Sequence, residues 1–218
     1  MSELQKAFEA GGLFMWPIFV VSIFVIAILI ERCMVLYFRA SVSKDSLVGA
    51  VEKLLRAGQV DRAIKLANDS GAPLGRVIGA GLRHFGERKE VIQMVMDEQA
   101  LAEVPLLETR TGYLAMLSNV ATLAGLLGTV VGLIHSFGAV AKADAATKSM
   151  LLAQGISEAM NCTAFGLLVA VPALIFFAVL QSKTHHLVDE IDSGAVRVFN
   201  VIVDVKEGVT SPADSSLA

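Results

Sequence analysis

Glu158, Asn161, Cys162 and Thr163 stand together in "SEAMNCTAFG", residues 157–166, at the mouth of a stretch that is otherwise almost wholly hydrocarbon. An ionisable group costs at least ~2.5 kcal/mol at the centre of a bilayer on insertion scales, and such a group usually faces a cavity or a partner. Two readings of Glu158 are open. It is either a functional carboxylate or a group at a helix N-terminus, where the helix dipole favours negative charge. Asn161 and Cys162 read as packing groups that face a sister helix.

A second constellation lies upstream in "AGLLGTVVGLIHSFG", residues 124–138. Gly125, Gly128, Gly132 and Ser136 recur there at spacings of three, four and four. Small residues on one face let helix backbones approach closely in lipid, where no hydrophobic force drives helices together. Thr129 adjoins this face. Its hydroxyl is either a polar group on a passage or simply bonded to its own backbone four residues back. At 1.5 Å per residue, Thr129 lies about 18 Å and Thr163 about 12 Å from the outer ends of their segments. Thr129, Thr163 and Glu158 thus fall at neighbouring depths, fit to line one polar passage. Beyond Glu31 and Arg32, which close the uncharged run of the first span, no second carboxylate and no lysine lies within a span, so a proton relay needs a titrating group from another chain.

Enzymatic chemistry finds little support. The four histidines, His84, His135, His185 and His186, form no HExxH motif and no intramembrane pair, so no metal site is expected. No GxSxG, P-loop or GxGxxG element is present, and no cofactor is expected. The net charge of −3 gives no reason to invoke nucleic acid. Cys33 and Cys162 fall at different depths and are not expected to form a disulfide.

The elements that must carry these residues are membrane spans. Of 218 residues 55% are hydrophobic and 18% charged, and the mean hydropathy is +0.64. A soluble domain of this length rarely has such a composition. About 20 apolar residues cross a hydrocarbon core, and three segments qualify. The first covers 13–38, the second 111–141 and the third 155–182. Pro17 and Pro172 fall inside spans, where neighbouring helices satisfy freed carbonyls. The N-terminus lacks a basic region and a cleavage site, so the first span is expected to be retained. Arg32, Arg39, Lys44, Arg110, Lys183 and Arg197 flank one side of the spans and Lys6, Lys142 and Lys148 the other. The basic side is cytoplasmic by the positive-inside rule. Residues 1–12 and the loop 142–154 are then periplasmic, and 39–110 and 183–207 are cytoplasmic.

The cytoplasmic part reads as helical. Leu47, Ala50, Val51, Leu54 and Leu55 follow the helical period up to Gly58, and a short helix follows over 60–68. From Arg88 one helix is expected to rise through a kink at Pro105 into the second span. Leu187, Ile191, Ala195, Val198, Ile202 and Val205 form a stripe that extends the third span as an amphipathic helix to about Lys206. Residues 208–218 read as a disordered tail. The fold class is all-α and integral to the membrane, with three transmembrane helices and long helices extending into the cytoplasm.

"GLLGTVVGLIHSF", followed after a short loop by "GISEAMNCTAFGLLVAVPAL", resembles the MotA/TolQ/ExbB proton-channel family, and three spans match its ExbB and TolQ members. The resemblance implies a homopentameric ring in the bacterial inner membrane. In such a ring the second and third spans enclose the single transmembrane helices of ExbD/TolR-like partners, whose aspartate titrates. Proton motive force then does mechanical work on an envelope system, whether TonB-type uptake, Tol-type envelope maintenance or gliding motility. By position, Thr129 in "LGTV" and Thr163 in "TAFGL" match pore-lining threonines, Glu158 a pore glutamate, and Pro172 the proline of the "VAxPA" element. Val131 stands where TolQ and ExbB commonly have tryptophan, and Leu123 and Ala124 replace the usual "SPYIG" approach. The competing reading is a non-conducting oligomeric scaffold in which the glycines and polar residues serve assembly alone.

Overall fold

The computed structural model describes residues 12, 14–39 and 44–208. The expected N-terminal segment other than Gly12, and the tail beyond Gly208, lie outside the described residues. Every regular element is helical: α1 (Met15–Cys33), a π-helical turn (Met34–Arg39), α2 (Lys44–Arg56), α3 (Val60–Asp69), α4 (Pro73–Arg83), α5 (Lys89–Glu108), α6 (Thr111–Lys142) and α7 (Lys148–Glu207). Three of these stretches are long and apolar enough to cross a membrane. Met15–Leu36 falls within the expected 13–38, and Lys89–Lys142 and Lys148–Glu207 extend well beyond the expected 111–141 and 155–182. Pro17 falls in the first turn of α1, where its missing N–H has no helical partner to lose.

Two junctions differ from the sequence reading. The helix approaching the second span does not merely kink at Pro105: it stops at Glu108 and restarts at Thr111. Thr109 donates to the Pro105 carbonyl from both its backbone N (2.9 Å) and its hydroxyl (2.6 Å), which closes the last turn. Arg110 then takes a left-handed conformation, φ 63°, at a cost of roughly 1–2 kcal/mol for a residue with a Cβ. Its guanidinium donates to Glu31 Oε1 at 2.5 Å, tying the break to the end of α1. The second difference is at α7, which begins at Lys148 rather than at Gly155. "SMLLAQ" holds good helix formers and no breaker, so the expected loop over 142–154 shrinks to a turn over 143–147.

The chain divides into two compact units. The first contains residues up to Arg32 and Arg110–Leu180, and the second contains Cys33–Thr109 and the chain from Gln181 onward. In the second unit Gly58 (φ 72°) and Gly71 (φ 64°) supply the left-handed residues that end α2 and α3. The core includes Leu47, Val51, Leu55, Val77, Ile78, Leu82, Ile92 and Met96, together with Leu187, Ile191, Val198 and Ile202 of the expected stripe on α7. Helix α4, absent from the sequence reading, is central to this packing. Pro73 opens it, Leu74, Val77, Ile78 and Leu82 bury, and its glycines admit neighbours. A Cβ at Gly79 would lie 2.6 Å from the Asn68 side-chain oxygen, and one at Gly81 2.5 Å from Met96.

Among the ion pairs of this unit, one has a buried carboxylate. Arg76 donates to both carboxylate oxygens of Glu103 at 2.6 Å, and Gln99 adds a third bond to Glu103 at 3.0 Å. Glu103 is 4% exposed. The bonds to Glu103 outweigh partial burial, so the Arg76 guanidinium holds its proton more firmly than usual.

Candidate functional site

The candidate residues of the first unit are positioned by one antiparallel seam between α6 and α7. On α6 the seam runs through Ser118, Ala121, Gly125, Gly128, Gly132 and Ser136. On α7 it runs through Gly155, Ala159, Cys162, Gly166 and Ala170, at spacings of four, three, four and four. Contacts pair these rows from end to end. A Cβ at Gly132 would lie 3.2 Å from the Ala159 Cβ, and one at Gly125 3.1 Å from the Cys162 carbonyl oxygen. At Gly166 it would lie 2.7 Å from the Ala121 carbonyl oxygen, and at Gly155 it would meet the Ser136 side chain. Ser118 Oγ donates to the Ala170 carbonyl at 2.8 Å, adding a directed bond at the opposite end from Ser136. Backbones approach this closely only where side chains are small.

Gly125, Gly128, Gly132 and Ser136 therefore do share a packing face, and the structure supplies the face they meet. Its α7 half was present in "GISEAMNCTAFGLLVA" as the same small-residue spacing, masked by the polar residues beside it. Cys162 belongs to this half. It is 1% exposed, with its Sγ against Gly128, so it packs on its own chain's second span and not on a sister helix. Asn161 is half-buried beside it, and Pro172 lies off the seam and is exposed in the single chain. Neither cysteine forms a disulfide.

The polar candidates leave the seam on two flanks. Right-handed helices that pack antiparallel bring residues lying the same number of steps past the contact out on the same side. Thr129 follows Gly128 by one step and Thr163 follows Cys162 by one step, so the two threonines share a flank. Thr122, two turns before Thr129, lies on it as well. Glu158 precedes Thr163 by five positions, about 140° around the helix at 3.6 residues per turn. It falls on the opposite flank, which the head of α1 covers. A Cβ at Gly128 would lie 3.2 Å from the Phe14 Cβ, and Gly12 abuts the Glu158 carboxylate. Glu158 also lies in the helix interior, well after Lys148, so the reading of it as a helix N-terminal group is set aside.

Both threonines are anchored. Thr129 Oγ1 donates to the Leu126 carbonyl at 2.6 Å, three residues back, and Thr163 Oγ1 donates across the seam to the Gly125 carbonyl at 3.2 Å. A hydroxyl that has donated its proton keeps acceptor lone pairs. The flank therefore presents fixed oxygen acceptors, which suit a hydrogen-bond chain of waters or a protonated partner group. Sequence reasoning did not find Gly12, because a lone glycine beside a second glycine near the N-terminus carries no spacing signal.

Comparison with known proteins bears on this arrangement. Residues 69–193 match the MotA/TolQ/ExbB proton channel family. The chain belongs to that family. ExbB-like 3 of Synechocystis sp. is 31% identical over 79% of this chain and 82% of its own length. The biopolymer transport protein exbB1 of Vibrio cholerae is 28% identical over 100% of this chain and 94% of its own. The Tol-Pal system protein TolQ of Haemophilus influenzae is 35% identical over 50% of this chain and 53% of its own. The family match takes in the whole of α4, α5 and α6, the turn and α7 as far as Ser193, which includes the whole seam with both threonines and Glu158. This family member is thus a multi-pass membrane protein of a channel and transport class.

Proposed function

We propose that this chain is the ring-forming subunit of a proton-channel stator, working with single-span ExbD/TolR-like partners to convert proton motive force into mechanical work on an envelope system. The observation that carries this reading is the shared flank of Thr129 and Thr163, turned away from α1 and bearing oriented acceptor oxygens. Five copies arranged with the threonine flank inward would enclose a lumen lined by Thr129 and Thr163, with Glu158 behind the α6–α7 seam under the head of α1. Glu158 is the sole carboxylate within the spans apart from Glu31, which lies at the cytoplasmic end of the first span and pairs with Arg110, so the partner's aspartate supplies the group that loads and releases the proton. The basic flanks support a periplasmic N-terminus and a cytoplasmic second unit.

Replacing Thr163 by Ala removes the acceptor while sparing the seam glycines, and it should abolish proton-driven work with the ring still assembled. Thr129→Ala should weaken work in the same assay, and Glu158→Ala should abolish it. The measurement is proton flux or energised motion beside native-gel assembly of the same membranes. Full work in the Thr163 and Glu158 variants would sink the assignment. A non-conducting scaffold remains the second reading, favoured by one observation: both threonine hydroxyls already satisfy backbone carbonyls, as packing residues do. That reading predicts loss of assembly, and of nothing else, from the same substitutions.

A further inference from the structure

The Glu158 carboxylate lies on the flank that the head of the first span covers, and its neighbour there is a backbone turn. Gly12 has φ +68°, in the left-handed region that glycine occupies without strain. Its carbonyl accepts from Met15 N at 3.3 Å, closing the turn that leads into α1. The side an L residue's Cβ would occupy at Gly12 is filled by Glu158 Oε1. The dihedral angle thus favours glycine, and an added Cβ would have to push the end of the Glu158 side chain aside. Phe14, just beyond, packs where a Cβ at Gly128 would lie 3.2 Å away. The head of α1 is therefore seated on both helices that carry the candidate site.

We propose that Gly12 is a positioning residue for the Glu158 carboxylate, the backbone turn at the head of the first span holding it on the flank of the α6–α7 seam opposite the threonines. The inference rests on the reading of Glu158 as a pathway residue, and it deepens that reading by giving the first span a part in the site. Any side chain at position 12 displaces the carboxylate, whatever its polarity. A shorter acid at position 158 withdraws from the added Cβ and relieves the conflict.

Two measurements test this on the full-length chain in its native membrane with its single-span partner. With Cys33 and Cys162 replaced by Ser, the pair Gly12→Cys and Glu158→Cys should form an intramolecular disulfide on mild oxidation, and neither single variant should. Failure to cross-link in protein that inserts and assembles normally would overturn the contact. Proton-driven work should fall on the order of tenfold in Gly12→Ala, since an ångström of misplacement suffices for such losses. Glu158→Asp alone should lower work by a similar factor, and adding Gly12→Ala to it should cost little more, a non-additivity that general destabilisation would not give. Full work in Gly12→Ala, alongside loss in Glu158→Gln, overturns the positioning role and leaves the pathway reading standing. Full work in Glu158→Gln instead removes the pathway reading itself.

Discussion

The two units bury their helices by different physics. In the second unit α4 presents Leu74, Val77, Ile78 and Leu82 to a core of large aliphatic side chains, and the hydrophobic effect drives the packing. In the first unit the α6–α7 seam holds glycine, alanine, serine and cysteine, while Leu123, Leu126, Ile134, Leu168 and Ile175 point outward and are exposed in the single chain. In lipid nothing is gained by hiding leucine, so stability comes from close backbone approach and from bonds such as Ser118 to Ala170. The polar residues follow the same division. The second unit encloses a paired charge, Arg76 with Glu103, whereas the first keeps its candidate polar groups at the edges of a seam.

This contrast can be broken most severely at Gly166. A leucine there drives four heavy atoms into the Ala121 carbonyl and Gly125 backbone, neither of which can yield. More than about 3 kcal/mol of destabilisation is expected, visible as lost assembly in detergent-solubilised membranes. Next comes Glu103→Ala, which strands Arg76. Because the Arg76 side chain is 44% exposed, water partly compensates, and the cost should be about 2 kcal/mol. Thermal unfolding of the purified protein would register it, and Glu103→Gln should fall between. Ser118→Ala removes a buried donor and its partner's bond inside the membrane, where such bonds average ~0.6 kcal/mol. A small drop in thermal midpoint with unchanged assembly is expected. Smallest is Gly132→Ala: its Cβ would meet the Ala159 Cβ at 3.2 Å, a side chain that can shift by a few tenths of an ångström. Stability should change by less than about 0.5 kcal/mol, and a large loss would mean that the seam is more rigid than its geometry implies.

The existence of the spans was legible because long uncharged runs have one physical solution in a bilayer, the helix. The glycine row of α6 was legible for the same kind of reason, since Gly125, Gly128 and Gly132 stand out against leucine and valine. Its partner row on α7 was harder to see, because Ala159 and Cys162 alternate with Glu158, Asn161 and Thr163, which draw the eye as chemistry. Helix α4 was missed because "APLGRVIGAGLR" mixes glycine with a proline, and only contacts with Asn68 and Met96 explain why those glycines belong in a helix. Pro105 read as the interruption before the second span, yet the interruption lies at Thr109 and Arg110, held by a pair with Glu31 that is remote in sequence.

What the sequence determined by itself was the class and the chemistry: a three-span helical membrane protein whose polar residues cluster in two motifs and whose carboxylate is isolated. Those follow from composition and local period, quantities that need no knowledge of neighbours. Which flank each side chain faces was decided only by tertiary structure. Thr163 and Glu158 are five positions apart, and that spacing becomes a separation onto two flanks only once α6 has chosen one side of α7 and the head of α1 has covered the other. Facing is a property of pairs of helices, and no single helix carries it.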